Sequence, residues 1–244
     1  MLTTAVENSM TVKLDALIMR TINNMIGQTL YASLWDDQAN NGDGAMDYTG
    51  TNVKAVNLLK LYNDTVGVDS ALTVDTALSN PDFIRFATYT IAMYSDRMAK
   101  ISTLFNVEGK ERFTPRDKQR IVLLSDFSKA SDTFLASNTF NADKVALPSH
   151  DSVPYWQGSG SSYGLTDTSK ISVKVKDGNE TPTIEASGIL GVMFDRDALG
   201  VCNTDRRVTT NYNPKAEFYT NFYKFDASYF NDLSENFVVF FMGA

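Results

Sequence analysis

The chain has 244 residues, 43% of them hydrophobic and 21% charged, with 22 Lys+Arg against 29 Asp+Glu and a formal net charge of -7. This is globular composition, long enough for one or two domains and for a core that needs neither disulfide nor metal, and it excludes a disordered or fibrous chain. The basic spots are interleaved with acids, as in Arg116-Asp117-Lys118, which argues against sequence-specific nucleic-acid binding. Cys202 is the only cysteine, so no intrachain disulfide can form. Residues 1–10 lack the pattern of a signal peptide, and the longest apolar run, Phe237 to Met242, is far below the ~20 residues of a membrane span. These features predict a soluble protein made in the cytoplasm.

In chain order, the first predicted element is a long helix over about Thr11 to Leu34. Leu14, Leu17, Ile18, Ile22, Met25, Ile26 and Leu30 recur at spacings of three and four and form one apolar stripe. Turn formers at Asn40 to Gly44 end it. A second helix is predicted over Thr51 to Val66, stopped by Gly67, with either Val56, Leu59 and Tyr62 or Leu58 and Leu61 inward. A third starts at Asn80-Pro81, a cap followed by a proline at the first helical position, and runs to about Ile101. After a polar bend at Glu108 to Lys118, Ile121 to Leu124 reads as a buried strand, and Ser125 or Asp126 caps a helix to about Ala136. Leu147 to Tyr163 reads as an extended loop. Ile171, Val173 and Val175 alternate with polar residues before Asp177-Gly178, which predicts a hairpin returning through Thr183-Ile184. Gly188 to Phe194 reads as another buried strand. Glu217–Tyr229 and Phe237–Met242 read as strands joined by a turn at Asn231 to Ser234.

Chemistry-bearing patterns are sparse. His150 is the only histidine, and its neighbours Ser149 and Asp151 are too close in sequence to form a triad with it. A hydrolase using His150 would need a nucleophile brought in by the fold. The acids from Asp36 to Asp43 resemble a calcium loop, but counting from Asp37 the third position is Ala39 and the twelfth Tyr48, where ligands are required. Gly158-Ser159-Gly160 lacks the Lys-Ser/Thr of a phosphate loop. Asp195-Arg196-Asp197 could serve acid/base chemistry, but ion pairing accounts for it better. The aromatic run Phe218 to Tyr229 is better explained by core packing or subunit contact than by base stacking, because Lys224 faces Glu217 and Asp226. No catalytic residue, cofactor site or metal site is expected.

Several segments carry a family resemblance. GILGVMFDRDALG at 188–200, NPKAEFYTNFYKFDASYFN at 213–231 and ENFVVFF at 235–241 resemble major capsid proteins of tailed bacteriophages and prophages. RFTP at 112–115, IVLLSDF at 121–127 and VPYWQG at 153–158 extend the likeness over nearly the whole chain. The resemblance implies an α+β Hong Kong 97-like coat fold: a peripheral domain with a spine helix over 1–50, a mixed α/β axial domain over 51–210, and strands over 211–244 returning to an antiparallel peripheral sheet. Because the helix begins close to Met1, the family's N-terminal arm and extended loop are expected to be missing. The implied function is structural and not enzymatic. Copies would assemble in the bacterial host cytoplasm into pentamers and hexamers of an icosahedral virion shell, enclosing DNA without sequence specificity. The implied partners are other copies of the chain together with scaffolding, portal or decoration proteins, and no membrane. An encapsulin-like compartment shell is the alternative with the same fold. Subunit contacts are expected near Asp195, Arg196, Asp197, Asp205, Arg206, Arg207, Tyr155 and Trp156, since alternating acids and arginines suit register-setting interfaces.

Overall fold

The computed structural model describes residues 2–36, 44–67, 71–100, 102–107, 110–138, 147–157, 164–176 and 181–243. The turn formers Asn40 to Asp43, the Gly158-Ser159-Gly160 stretch and the Asp177-Gly178 turn lie outside them. The elements in order are α1 (Leu2–Leu34), β1 (Trp35–Asp36), β2 (Ala45–Met46), β3 (Ala55–Asn57), α2 (Leu58–Val66), α3 (Val74–Ala77), α4 (Pro81–Met98), β4 (Ser102–Val107), β5 (Lys110–Arg112), β6 (Gln119–Leu124) and α5 (Ser125–Asn138). There follow β7 (Asp151–Val153), α6 (Leu165–Thr168), β8 (Ile171–Lys174), β9 (Thr183–Ala186), β10 (Ile189–Asp195), β11 (Leu199–Asn203), β12 (Arg207–Asn213), β13 (Phe218–Lys224), β14 (Ala227–Asn231) and β15 (Phe237–Phe241). The chain is α+β.

A five-stranded sheet in the order β3-β15-β10-β6-β7 organises the molecule. β10 pairs antiparallel with β15 and β6, while β3 and β7 join parallel at the edges. Its central strands are largely apolar, apart from Gln119, Arg120 and Asp195 at their ends, because both faces are covered. Side chains alternate between two cores. Val122, Leu124, Val192, Phe194, Phe237, Val239 and Phe241 pack with the second half of α1 and the β8–β9 hairpin. Ile121, Leu123, Leu190, Met193, Val238, Phe240 and Met242 pack with α2, α4 and α5. A β-bulge between Ile189 and Gly191 adjusts the parity of β10.

The long helix is present and starts earlier than its stripe suggested, at Leu2. Only part of the stripe is covered: Ile22, Met25, Ile26 and Leu30 are buried, whereas Ile18 is exposed and Leu14 and Leu17 are half-buried. Gly27 sits where α1 crosses the hairpin, and a Cβ there would lie 3.2 Å from Val173 Cβ. The small residue lets helix and hairpin approach closely. Gly27→Leu is therefore expected to cost about 2 kcal/mol through overpacking, while Gly27→Ala stays within about 1 kcal/mol because gained helix propensity offsets the tight contact. Urea unfolding of the two variants checks this.

The second predicted helix begins later than expected. Residues 55–57 form β3, with Ala55, Val56 and Asn57 opposite Val239, Phe240 and Phe241. Tertiary pairing outweighs local propensity here, and α2 starts only after Asn57, whose side chain accepts from Lys60 N at 3.1 Å. At α4 the sequence signal held: Asn80 Oδ1 accepts from Asp82 N and Phe83 N, and Pro81 opens the helix. The expected polar bend after Glu108 carries β5, and the loop expected from Leu147 carries β7. The strand expected over Glu217–Tyr229 divides at Phe225-Asp226 into β13 and β14. β13 pairs with β12 over seven residue pairs, Arg207↔Lys224 through Asn213↔Phe218, and β14 pairs with β11.

Candidate functional site

The most distinctive surface is the β12–β13 ribbon. Val208, Tyr212, Phe218, Tyr219 and Phe222 are all exposed, Tyr219 at 68% and Phe222 at 57%. The register puts Val208, Tyr212, Tyr219 and Tyr223 on one face and Thr209, Asn211, Phe218 and Phe222 on the other. Both faces thus present rings to solvent, and Tyr212 and Tyr219 meet across the strands with centroids 4.8 Å apart and planes tilted by 38°. An isolated two-stranded ribbon is marginal in water, and exposed apolar patches of this kind are uncommon on a free monomer surface. At the root, Thr204 N donates to Asp226 O at 3.0 Å, and the Asp226 carboxylate takes Lys224 at 3.4 Å and Arg207 at 3.8 Å. Lys224 thus has the Asp226 partner expected of it, while Glu217 stands at the far tip with φ 50°.

The residues expected near subunit contacts divide. Asp205, Arg206 and Arg207 are exposed at the ribbon root. Arg196 and Asp197 are exposed at the end of β10, where Asp197 holds Lys118 Nζ at 3.0 Å and raises the Lys118 pKa. Asp195 is buried, 5% exposed, accepting from Thr114 Oγ1 at 2.7 Å and from Asp197 N at 2.9 Å. Asn236 Nδ2 donates in turn to Thr114 Oγ1 at 3.1 Å, so the carboxylate serves as an internal knot between sheet and loops. Trp156 is buried as well. Its ring is 1% exposed, and Nε1 donates to Ile189 O at 2.9 Å, so it anchors the loop to the core. Tyr155 is half-buried beside it.

The lone histidine does meet a serine. His150 Nε2 lies 3.0 Å from Ser128 Oγ, and Nδ1 lies 2.9 Å from Pro148 O. The second contact requires Nδ1–H as donor, which leaves Nε2 to accept from the hydroxyl. An open groove of about 720 Å³ runs past His150, Arg116 and Arg120. Ser128, however, is 2% exposed, and a carbonyl in place of a carboxylate holds the ring. A buried hydroxyl cannot meet a substrate carbonyl, so the pair ties α5 to the segment before β7. Among the described residues there is no group of three or more His, Cys, Asp or Glu able to hold a metal ion. Within those residues, no helix is long and apolar enough to cross a membrane.

Sequence reading missed a second surface, a groove of about 980 Å³ between α1 and β8. Its helix wall carries Met19, Arg20 and Asn23, and its opposite wall Tyr155, Val173 and Lys174. Its α1 wall lies off the apolar stripe, so the stripe gave no signal for it.

The chain therefore pairs an apolar double core with unusual aromatic exposure, and no described cluster is equipped for bond chemistry. A search among curated proteins finds no match. The family model of Phi29-like phage major capsid proteins matches residues 1–241, nearly the full chain, and supports neither an encapsulin-like shell nor a hydrolase. The chain belongs to the Phi29-like phage major capsid protein family, and it is a structural phage capsid protein of the virion.

Proposed function

We propose that copies of this chain meet through heterologous contacts that close into rings of five and six, and that the rings tile an icosahedral shell around DNA. The observation that carries this reading is the β12–β13 ribbon, aromatic on both faces and exposed among the described residues. Weak contacts suffice, because each is multiplied over the shell. The formal net charge of -7 suits a wall that does not grip packaged phosphate, so DNA would be enclosed without sequence specificity. Assembly in the host cytoplasm, with scaffolding, portal or decoration proteins as further partners, belongs to the same reading.

In Hong Kong 97-like terms, α1 would be the spine helix within 1–50. The five-stranded sheet with α2, α4 and α5 would be the body of the axial domain within 51–210, and 211–244 would supply the returning strands. The sheet supports only part of that division, since β15 runs between β3 and β10. Asp205, Arg206, Arg207, Arg196, Asp197 and Tyr155 would lie at or near subunit contacts, with Asp195 and Trp156 supporting them from inside.

Tyr219→Ser combined with Phe222→Ser tests the reading. Both side chains are solvent-facing, so the subunit is expected to keep its circular dichroism spectrum and melting temperature. Particles seen by electron microscopy and sedimentation are expected to fall at least tenfold. Arg206→Glu with Arg207→Glu should weaken assembly in the same direction. Undiminished shells in both variants would refute a ribbon-mediated contact.

A further inference from the structure

The groove between α1 and β8 has a charge and a chemistry that its own chain does not satisfy. Arg20 stands on the helix wall, with Lys174 and Lys176 opposite, and Asp15 is the one acid lining it among the described residues. Among those residues none of the three cations has an ion-pair partner. A net positive groove on a chain of formal charge -7 is attractive to an acidic or neutral partner, above all another copy of that chain. Val12, Met19, Val173 and Tyr229 supply apolar wall between the charges. Val12 is 67% exposed although it lies on the longest helix of the fold. On the groove floor, Asn23 is buried; Nδ2 donates to Trp156 O at 2.6 Å, but Oδ1 has no donor among the described residues. A buried acceptor without a partner is costly, and a donor supplied from outside would relieve that cost after a small side-chain turn.

We propose that this groove receives the tip of the β12–β13 ribbon from a second copy of the chain. This rests on the self-assembly reading above and names its receptor. The ribbon carries what the groove lacks: exposed aromatic rings for the apolar wall, tyrosine hydroxyls and Asn amides as donors, and Glu217 at the tip for Arg20, Lys174 and Lys176. Position argues for a neighbour's groove and against its own. β14, which leads from the ribbon root, is tied to α1 through Asn231 Nδ2 and Thr21 O at 3.4 Å, and Tyr229 of β14 lines the groove itself. The ribbon therefore starts beside its own groove. Seven residues of strand carry the tip roughly 23 Å further on, and neither ribbon face is buried against the described residues. A ribbon rooted at one groove and seated in the next makes a head-to-tail contact, which is the kind that repeats around a ring.

The test uses the full chain with its exposed Cys202 replaced, Cys202→Ser. Glu217→Cys and Lys174→Cys are introduced singly and together, and each protein is assembled, oxidised and run on a non-reducing gel. The double variant is expected to give a ladder of covalent multimers, and each single variant a predominantly monomeric band. In parallel, Glu217→Lys is expected to lower the sedimenting fraction at least tenfold, and Lys174→Glu with Lys176→Glu to restore it. Shells that form without a ladder and without charge-swap rescue would overturn the groove pairing and leave self-assembly through other surfaces standing. A wild-type chain that stays monomeric at every concentration would overturn both.

Discussion

Phe240→Ala is expected to destabilise the subunit by about 4 kcal/mol, as large-to-small changes at fully packed aromatic sites do. Phe240 is wholly buried one residue from the end of β15, between Gly191 on one neighbour and Val56 on the other. Its ring meets Tyr94 edge-on, with centroids 5.6 Å apart and planes at 89°, so truncation loses an aromatic pair as well as area. Burial raises the Tyr94 pKa, and the cavity would admit water to that phenol. Space cannot be recovered by collapse, because β15 is held by strands on both sides. Phe240→Leu keeps most of the volume and is expected to cost only about 1 kcal/mol. Urea unfolding of the soluble subunit, followed by tryptophan fluorescence, measures both.

Asn57→Ala is expected to cost a similar amount for a different reason. The side chain makes four hydrogen bonds: Oδ1 accepts from Lys60 N at 3.1 Å and Gly243 N at 3.2 Å, while Nδ2 donates to Tyr48 O at 3.0 Å and Gly243 O at 3.1 Å. It caps α2 and at the same time clasps the segment after β15 to the turn before β3. Loss of a cap costs about 1 kcal/mol, and buried backbone groups left without partners cost about 1–3 kcal/mol more. Asn57→Asp separates the two roles. It keeps the acceptor for α2 but turns a carboxylate oxygen toward two carbonyls, so it is expected to protect Lys60 N–H in hydrogen exchange while exposing Gly243 N–H. Equal loss of protection at both sites would show that the clasp is not a separate device.

Sequence patterning made the cores legible where both faces of an element are buried or where a cap is strictly local. The apolar runs at Ile121 to Leu124, Gly188 to Phe194 and Phe237 to Met242 became the three central strands. The Asn80-Pro81 start and the Ile171/Val173 alternation also resolved as expected. Long-range pairing escaped detection: nothing local in Ala55-Val56-Asn57 reveals a strand whose partner is at Val239. Asp195 and Trp156 look like surface features by residue type and became interior ones, because hydrogen bonds from Thr114 and to Ile189 satisfy them there. The aromatic ribbon was visible as composition, but its exposure was not. Rings on both parities of β13 fit a strand covered on two sides, and sequence gives no indication that both faces stay exposed among the described residues.

The position of β15 governs the order in which the molecule can be completed. Val239 pairs with Ala55, and the strand carrying it separates β3 from β10. During synthesis the middle of the sheet therefore stays open until the ribosome has released residues 237–241, with strand edges and apolar rows waiting for it. Pairing across so long a separation is slow, and it sets a timer on the nascent chain: a polypeptide stalled short of β15 has no closed sheet on which to carry its ribbon.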